Sequence, residues 1–175
     1  MGLKGKHTKK ITPQISVQKL HNAYNAHKKV YKAYEQFLKN KNKRIITVTG
    51  NHDHDYVFPE VQETFRKLVH GNTKNVLFPG FTYQIQDALF IHGHNLDKLH
   101  QTPFPEILLE KGKKYLNLAY LSKASIDMLH FKKQFPLVER VLPLQEVLEF
   151  DHPWIQRFKA EAKKILFRSI LMDTF

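Results

Sequence analysis

The residues best suited to chemistry form a run of four polar residues that follows a short apolar segment. Gly50-Asn51-His52-Asp53 comes directly after Arg44-Ile45-Ile46-Thr47-Val48-Thr49, a β-branched run that predicts a buried strand. A glycine lets the backbone turn sharply where a strand ends, so the next side chains point together into the crevice at the sheet edge. Asn51 offers a hard carbonyl oxygen to a divalent metal, and the imidazole of His52 can donate a proton to a phosphoryl group. Asp53 can orient that imidazole.

A second polar run lies some forty residues further along the chain. Ala88-Leu89-Phe90-Ile91 predicts a strand that ends at His92, which is followed by Gly93 and His94. An imidazole at a strand end beside a glycine indicates a functional residue. His94 leaves the same strand end, and two interpretations stay open for it: a contact to a metal ligand or substrate, or a purely structural role.

These two runs resemble the third and fourth signature blocks of the calcineurin-like metallophosphoesterases. Gly50-Asn51-His52-Asp53 has the form of the third block, and Leu89-Phe90-Ile91-His92-Gly93-His94 has the form of the fourth. Both runs occur in the family order, and both follow a predicted strand. The resemblance implies an α/β fold, namely a partial phosphoesterase sandwich with a mixed sheet and flanking helices.

The resemblance also implies roles for individual residues. Asn51 and His92 would bind the same divalent metal, and His52 would stabilise the transition state or protonate the leaving oxygen. Asp53 would be the partner of His52, with Gly50 and His94 next to substrate or to the metal ligands. The cofactor would be a pair of Mn, Fe, Zn or Mg ions, and the reaction hydrolysis of a phosphomonoester, phosphodiester or pyrophosphate.

Three signature blocks of the family are missing from the sequence. No Asp has His two positions later, no Gly is followed by Asp, and the pair Gly93-His94 is followed by Asn95-Leu96 rather than by a second His. We therefore expect weak or no catalysis from the isolated chain. Because the missing blocks would precede residue 1 or follow residue 175, the pattern predicts a fragment of a longer reading frame.

Helices and strands are predicted around the two runs. Ser16 is the expected N-cap of a helix that reaches Leu38, and Pro59 opens a helix that ends near His70-Gly71. The turn Gln86-Asp87 joins two strands of a hairpin. His54 and Asp55 are predicted to be a solvated loop pair, and Asp97 to be a cap.

The second half of the chain is predicted to be helical. The strongest stretches are Pro105 to about Gln134 and Pro153 to about Leu171, with Pro136 and Pro143 as breaks. A helical insertion here resembles the cap of the UDP-2,3-diacylglucosamine hydrolase branch. The expected organisation is thus a basic flexible start (1–15), a partial phosphoesterase core (16–97) and a helical cap (98–175).

Charge supports a rival function of a different class. Residues 1–44 hold 12 Lys or Arg and one acid, whereas residues 45–175 hold 16 basic and 15 acidic residues. The basic first segment favours a nucleic-acid-binding or assembly protein that keeps remnants of an enzyme site. Tyr24, Tyr31, Tyr34 and Phe37 lie at helical spacing among its lysines, and core packing is the favoured interpretation over base stacking.

Composition bounds the remaining possibilities. A hydrophobic content of 42% in 175 residues is enough for one packed domain. The absence of cysteine excludes disulfides and thiolate metal sites. No apolar run approaches the roughly 20 residues of a membrane span. We therefore expect a cytoplasmic protein, and the resemblance implies that it acts on a phosphorylated substrate.

Overall fold

The computed structural model describes residues 8–123, 125–126, 153, 155–157, 159–160 and 163–164. The chain divides into two compact units, one formed by Lys10–Leu118 and the other by Met1–Lys9 with Ala119–Phe175. The first unit has a mixed α/β architecture and contains both polar runs. No helix among the described residues is both long and apolar enough to cross a membrane.

Two consecutive helices replace the single helix expected from Ser16 to Leu38. Helix α1 spans Pro13–Ala26 and helix α2 spans Lys28–Leu38. The break is at His27, whose φ of −127° and ψ of 36° lie outside the helical region. The predicted N-cap is also wrong, because Ser16 is buried inside α1 and Thr12 caps the helix by accepting a hydrogen bond from Ile15 N.

A β-α-β unit follows the two helices. Strand β1, Ile45–Val48, and strand β2, Val76–Gly80, pair in parallel, and helix α3, Pro59–Leu68, connects them. A short 3-10 helix, His54–Val57, lies between β1 and α3. Strand β1 and helix α3 confirm the strand and helix predicted here, since β-branched residues favour the strand and Pro59 at the first helical turn favours the helix.

The core of this unit is built around Phe65 of α3. Its ring contacts four other aromatic rings at centroid distances of 5.7 to 6.1 Å. These rings belong to Tyr31, Tyr34, Tyr56 and Phe78. Because they come from α2, the 3-10 helix and β2, this cluster holds together the elements on either side of the Gly50 loop.

Two antiparallel hairpins complete the first unit. Strands β3, Thr82–Ile85, and β4, Ala88–Ile91, pair around the predicted turn Gln86-Asp87. Strands β5, Ile107–Glu110, and β6, Lys113–Leu116, form the second hairpin. Each pairing makes a two-stranded sheet, so the strands of the described residues form three separate small sheets.

The β5–β6 hairpin contradicts the helix predicted from Pro105 to about Gln134. Lys111 and Gly112 both have positive φ, 49° and 74°, as a tight hairpin turn requires. The sequence favoured a helix because leucine, lysine and glutamate have high helix propensity, and the Lys-Gly turn signal is weak. The expected helical cap, 98–175, is therefore wrong over this part.

The rest of the predicted cap can be followed only in places. Residues 120–123 are helical, and so are the described positions between Pro153 and Lys164. Pro136, Pro143 and most of the other residues after 126 lie outside the described residues. The predicted flexible start is likewise described only from Thr8 onward, where Ile11 O accepts a hydrogen bond from Leu116 N at 2.9 Å.

Candidate functional site

The loop after β1 turns sharply at Gly50. Thr49 is buried, and its N–H donates to Gly80 O at 2.8 Å, which extends the β1–β2 pairing to the start of the loop. Gly50 N then donates to Asp53 Oδ1 at 3.0 Å. The carboxylate of Asp53 therefore closes the loop on itself, so that the loop keeps its shape at the end of the strand.

His92, at the end of β4, packs directly against this loop. A Cβ atom placed on Gly50 would lie 2.6 Å from His92 Cδ2 and 2.8 Å from His92 Nε2, both far inside van der Waals contact. Only glycine therefore permits the present approach of the two segments. The tertiary structure brings together two polar runs that are separated by about forty residues in the sequence.

The three polar residues after Gly50 differ in exposure and in hydrogen bonding. Asn51 is half-buried and His52 is exposed. Asp53 was expected to pair with the imidazole of His52, but its Oδ1 accepts from the backbone of Gly50. Within the part of the chain that the structure describes, His52 has no hydrogen-bond partner, so its ring is free to meet a ligand from solvent.

His94 is the third imidazole near the loop and is largely buried. Its Nε2 lies 3.2 Å from Thr102 Oγ1, and its ring centroid lies 5.1 Å from that of His92. Its Nδ1 is buried and has no hydrogen-bond partner among the residues that the structure describes. Burial, followed by the neighbouring His92, lowers the pKa of His94 and favours the neutral ring.

His54 is a buried residue, in contrast to the solvated position predicted for it. Its side chain is 5% exposed, and its Nε2 has no hydrogen-bond partner among the described residues. Its ring lies 6.1 Å from that of Phe81, which in turn lies 5.6 Å from His94. The sequence offered no signal for this, because the packing of His54 against Phe81 joins segments that are almost thirty residues apart.

Asp55, the other half of the predicted solvated pair, is also mostly shielded. Its Oδ2 accepts an ion-pair hydrogen bond from Lys19 Nζ at 2.5 Å, which ties α1 to the 3-10 helix. Its Oδ1 is buried and has no hydrogen-bond partner in the described part of the chain. Asp55 therefore serves to position the segment that follows the loop.

Burial of His54 makes stability depend on pH. Burial lowers the pKa of His54 from its ordinary value of 6.5, despite the carboxylates of Asp55, Glu106 and Asp53, and His94 lowers it further. Below pH 6.5 the unfolded chain binds a proton that the folded chain does not. The free energy of unfolding should therefore fall with decreasing pH, by at most about 1.4 kcal/mol per pH unit for this group.

The variant His54→Leu tests this expectation. Denaturant unfolding across a range from neutral to mildly acidic pH should show a shallower fall in stability for the variant than for the wild type. Contributions from His94 and the other imidazoles are present in both proteins and cancel in the comparison. Identical pH slopes would contradict the assignment.

Asp97 caps a turn, whereas the prediction placed it where the chain becomes helical, since residues 98–100 form a turn and not a helix. Its Oδ1 accepts from Leu99 N at 2.8 Å, and its Oδ2 lies 3.0 Å from His100 Nδ1. These contacts, led by the backbone N–H of Leu99, lower the pKa of Asp97. The residue stabilises the turn that follows His94 and does not point to the Gly50 loop in any described contact.

An apolar groove leads up to His92. Ile46 and Val48 of β1 and the segment Leu89–His92 line an open space of ≈ 430 Å³. Leu89, Phe90 and Ile91 are 61, 50 and 45% exposed, although the sequence predicted a strand packed in a sheet. The groove therefore presents an apolar surface next to the polar loop.

The residues that the structure brings together do not fit a complete two-metal centre. The part of the chain that the structure describes contains no group of three or more His, Asp or Glu side chains placed to hold a metal ion. Asp53 Oδ1 and His94 Nε2 are already engaged with Gly50 and Thr102. Asn51 and His92 remain as potential ligands, and two ligands are too few for a protein metal site of ordinary stability.

No protein-family model, no curated protein and no solved structure matches the chain significantly.

Proposed function

We propose that the Gly50–Asp53 loop and the His92–His94 turn form part of a metal-dependent phosphoesterase site of the calcineurin-like type. The reaction proposed is hydrolysis of a phosphomonoester, phosphodiester or pyrophosphate. Asn51 and His92 are the proposed metal ligands, and His52 is the proposed proton donor. The metals that suit these ligands are Mn, Fe, Zn and Mg.

The close approach of His92 to Gly50 is the observation that supports this proposal. The resemblance to two family blocks rests on the sequence, and the sequence does not require the two blocks to be neighbours in space. In the fold, the ring of His92 lies against the backbone of the Gly50 loop. Two segments that share one site must meet in this way, and segments that match by coincidence need not.

The side chains near this contact suit the recognition of a phosphoryl group. His52 is exposed at the loop and can donate a hydrogen bond or a proton to a phosphate oxygen. Asn51 is half-buried beside it and offers both an amide N–H and a carbonyl oxygen. Asp53 holds the loop in shape through Gly50 N, so its role is to position these two residues.

Turnover by this chain should be low, because the described residues supply too few ligands for a metal pair. The proposal is therefore tested first by metal binding. Titration with Mn²⁺ should broaden the NMR signals of Asn51, His92 and their direct neighbours His52 and His94 more than those of histidines remote from the loop, such as His27. Asn51→Ala and His92→Ala should each weaken the binding by at least the ~10-fold that loss of an outer-shell partner of a metal ligand already costs.

The matched control is His27→Ala, which removes an exposed imidazole between α1 and α2. It should leave both the Mn²⁺ affinity and the broadening pattern unchanged. Broadening that is spread over exposed carboxylates, or that survives in Asn51→Ala and His92→Ala, would overturn the proposed site.

Hydrolysis of chromogenic phosphate monoesters and diesters with added Mn²⁺ provides the second readout. Any turnover should fall about 100-fold or more in His52→Ala, the size expected for loss of a general acid. Metal affinity should be unaffected by this change, because His52 is not a proposed ligand. Turnover that His52→Ala leaves intact would contradict the role of His52.

A further inference from the structure

The outer face of α2 and the segment that follows it carry an unusual density of positive charge. Residues 28–44 contain seven basic side chains and one acid, Glu35. The carboxylate of Glu35 is engaged, since its Oε1 lies 3.0 Å from His70 Nδ1. The seven basic side chains, here called the basic face, are Lys28, Lys29, Lys32, Lys39, Lys41, Lys43 and Arg44.

The members of the basic face are exposed and available. None of them forms an ion pair within the part of the chain that the structure describes. One side of α2 carries Lys28 and Lys32, and Lys39, which directly follows the helix, continues the same row. Spacings of four and seven residues correspond to about one and two helical turns, so the three side chains align. Lys28 and Lys32 are thus about 6 Å apart along the axis. Such a row of like charges is unfavourable unless a polyanion neutralises it.

The aromatic side chains of α2 divide into two groups, which corrects the interpretation of all of them as core residues. Tyr31 is 8% exposed and packs on Phe65, as expected for the core. Phe37, in contrast, is 42% exposed. Its only ring partner among the described residues is Lys43, whose Nζ lies 4.8 Å from the ring centre. Phe37 therefore presents an aromatic surface beside Lys43 of the basic face, on the side of α2 opposite the row of Lys28, Lys32 and Lys39.

We propose that the basic face and Phe37 bind single-stranded nucleic acid. The lysines and Arg44 would neutralise successive phosphates, and a base would stack on the ring of Phe37. An exposed aromatic ring next to cations can stack on an unpaired base of a single strand, whereas the bases of a duplex already stack on one another. This inference is independent of the proposed phosphoesterase site.

An anionic membrane surface is the less suitable partner. A helix that lies on a membrane must insert an apolar face between the lipids. The apolar side of α2, which includes Tyr31 and Leu38, is instead buried in the core. Three apolar side chains of α2 remain exposed, namely Val30, Tyr34 and Phe37. Because the ring of Tyr34 also packs against Phe65, this short stripe offers little to insert, whereas the phosphates of a nucleic acid need only the charged side chains.

The experiment measures binding of a fluorescent single-stranded oligonucleotide by anisotropy over a range of salt concentrations, with a chelator present to exclude metal-dependent hydrolysis. The triple variant Lys28→Gln, Lys32→Gln and Lys39→Gln should bind more weakly. The slope of log K against log salt should become shallower by about 2, because each phosphate contact to a single strand contributes about 0.7.

The matched control changes three exposed lysines elsewhere, in the triple variant Lys74→Gln, Lys98→Gln and Lys114→Gln. It has the same net charge as the first variant and should keep the wild-type slope. Equal losses in the two triple variants would overturn the basic face as the site, since only net charge would then matter.

Phe37→Ala separates stacking from charge. Removal of the ring should weaken binding about tenfold at every salt concentration and leave the salt slope unchanged. An unchanged affinity, or preferred binding of duplex over single strand, would overturn the single-strand assignment. Vesicles rich in phosphatidylserine serve as the alternative ligand, and tighter binding to them than to the oligonucleotide would overturn nucleic acid as the partner.

Discussion

Replacement of Phe65 by alanine is expected to lower the free energy of unfolding by about 3 to 5 kcal/mol, the range found for buried Phe→Ala changes. Phe65 is 5% exposed and contacts four aromatic rings from α2, the 3-10 helix and β2. Its removal leaves a cavity that these rings cannot all fill. Because natural domains are stable by only about 5 to 15 kcal/mol, this loss is a large fraction of the total stability.

Chemical denaturation followed by circular dichroism measures this loss. Phe37→Ala is the matched control, because it deletes the same side chain from an exposed position on α2. It should change the free energy of unfolding by less than about 1 kcal/mol. A small effect of Phe65→Ala, similar to that of Phe37→Ala, would show that the aromatic cluster does not hold the fold together.

Replacement of Gly50 by alanine is expected to disrupt the candidate site directly. The new Cβ would lie 2.6 Å from His92 Cδ2 and 2.9 Å from Asp53 Oδ1, so the ring, the carboxylate or the loop must move. Overpacking of this kind lowers stability by about 1 to 3 kcal/mol. The imidazole signals of His92 should shift in NMR spectra, and any Mn²⁺ binding at Asn51 and His92 should weaken.

Gly112→Ala provides the comparison for Gly50→Ala. Gly112 has a φ of 74°, and apart from its two chain neighbours no described residue has an atom within 4 Å of a Cβ placed there. Its replacement should lower stability through backbone strain, by about 1 to 2 kcal/mol, without affecting His92. If Gly50→Ala also left the His92 signals in place, the close approach of the two segments would not be needed for their arrangement.

These two predictions separate the stability of the fold from the integrity of the site. Phe65→Ala weakens both the fold and the site, because the aromatic cluster positions β2 and the 3-10 helix around the loop. Gly50→Ala acts at the point where the two polar runs meet. A protein that remains folded but loses its His92 environment would identify that contact as the centre of the candidate site.

Local sequence patterns predicted the β-α-β unit and the first hairpin well. The β-branched run before Gly50, Pro59 at the start of α3 and the turn at Gln86-Asp87 each act over a few residues, and none depends on distant contacts. Two other local predictions failed for related reasons. Helix propensity outweighed the turn at Gly112, and the apolar stripe of α1 and α2 concealed the break at His27.

Sequence alone determined which residues could carry chemistry, since residue type and position after a strand are local properties of Asn51, His52 and His92. Only the tertiary structure decided that His92 meets Gly50, that His54 is buried and that Phe37 is exposed. Each of these depends on packing between segments distant in sequence, and the sequence pattern of one segment does not specify which surface of another will cover it. The same reason applies to the ligand set, because the residue types suggested a metal centre and the packing of the described residues brings together no group of three or more His, Asp or Glu side chains.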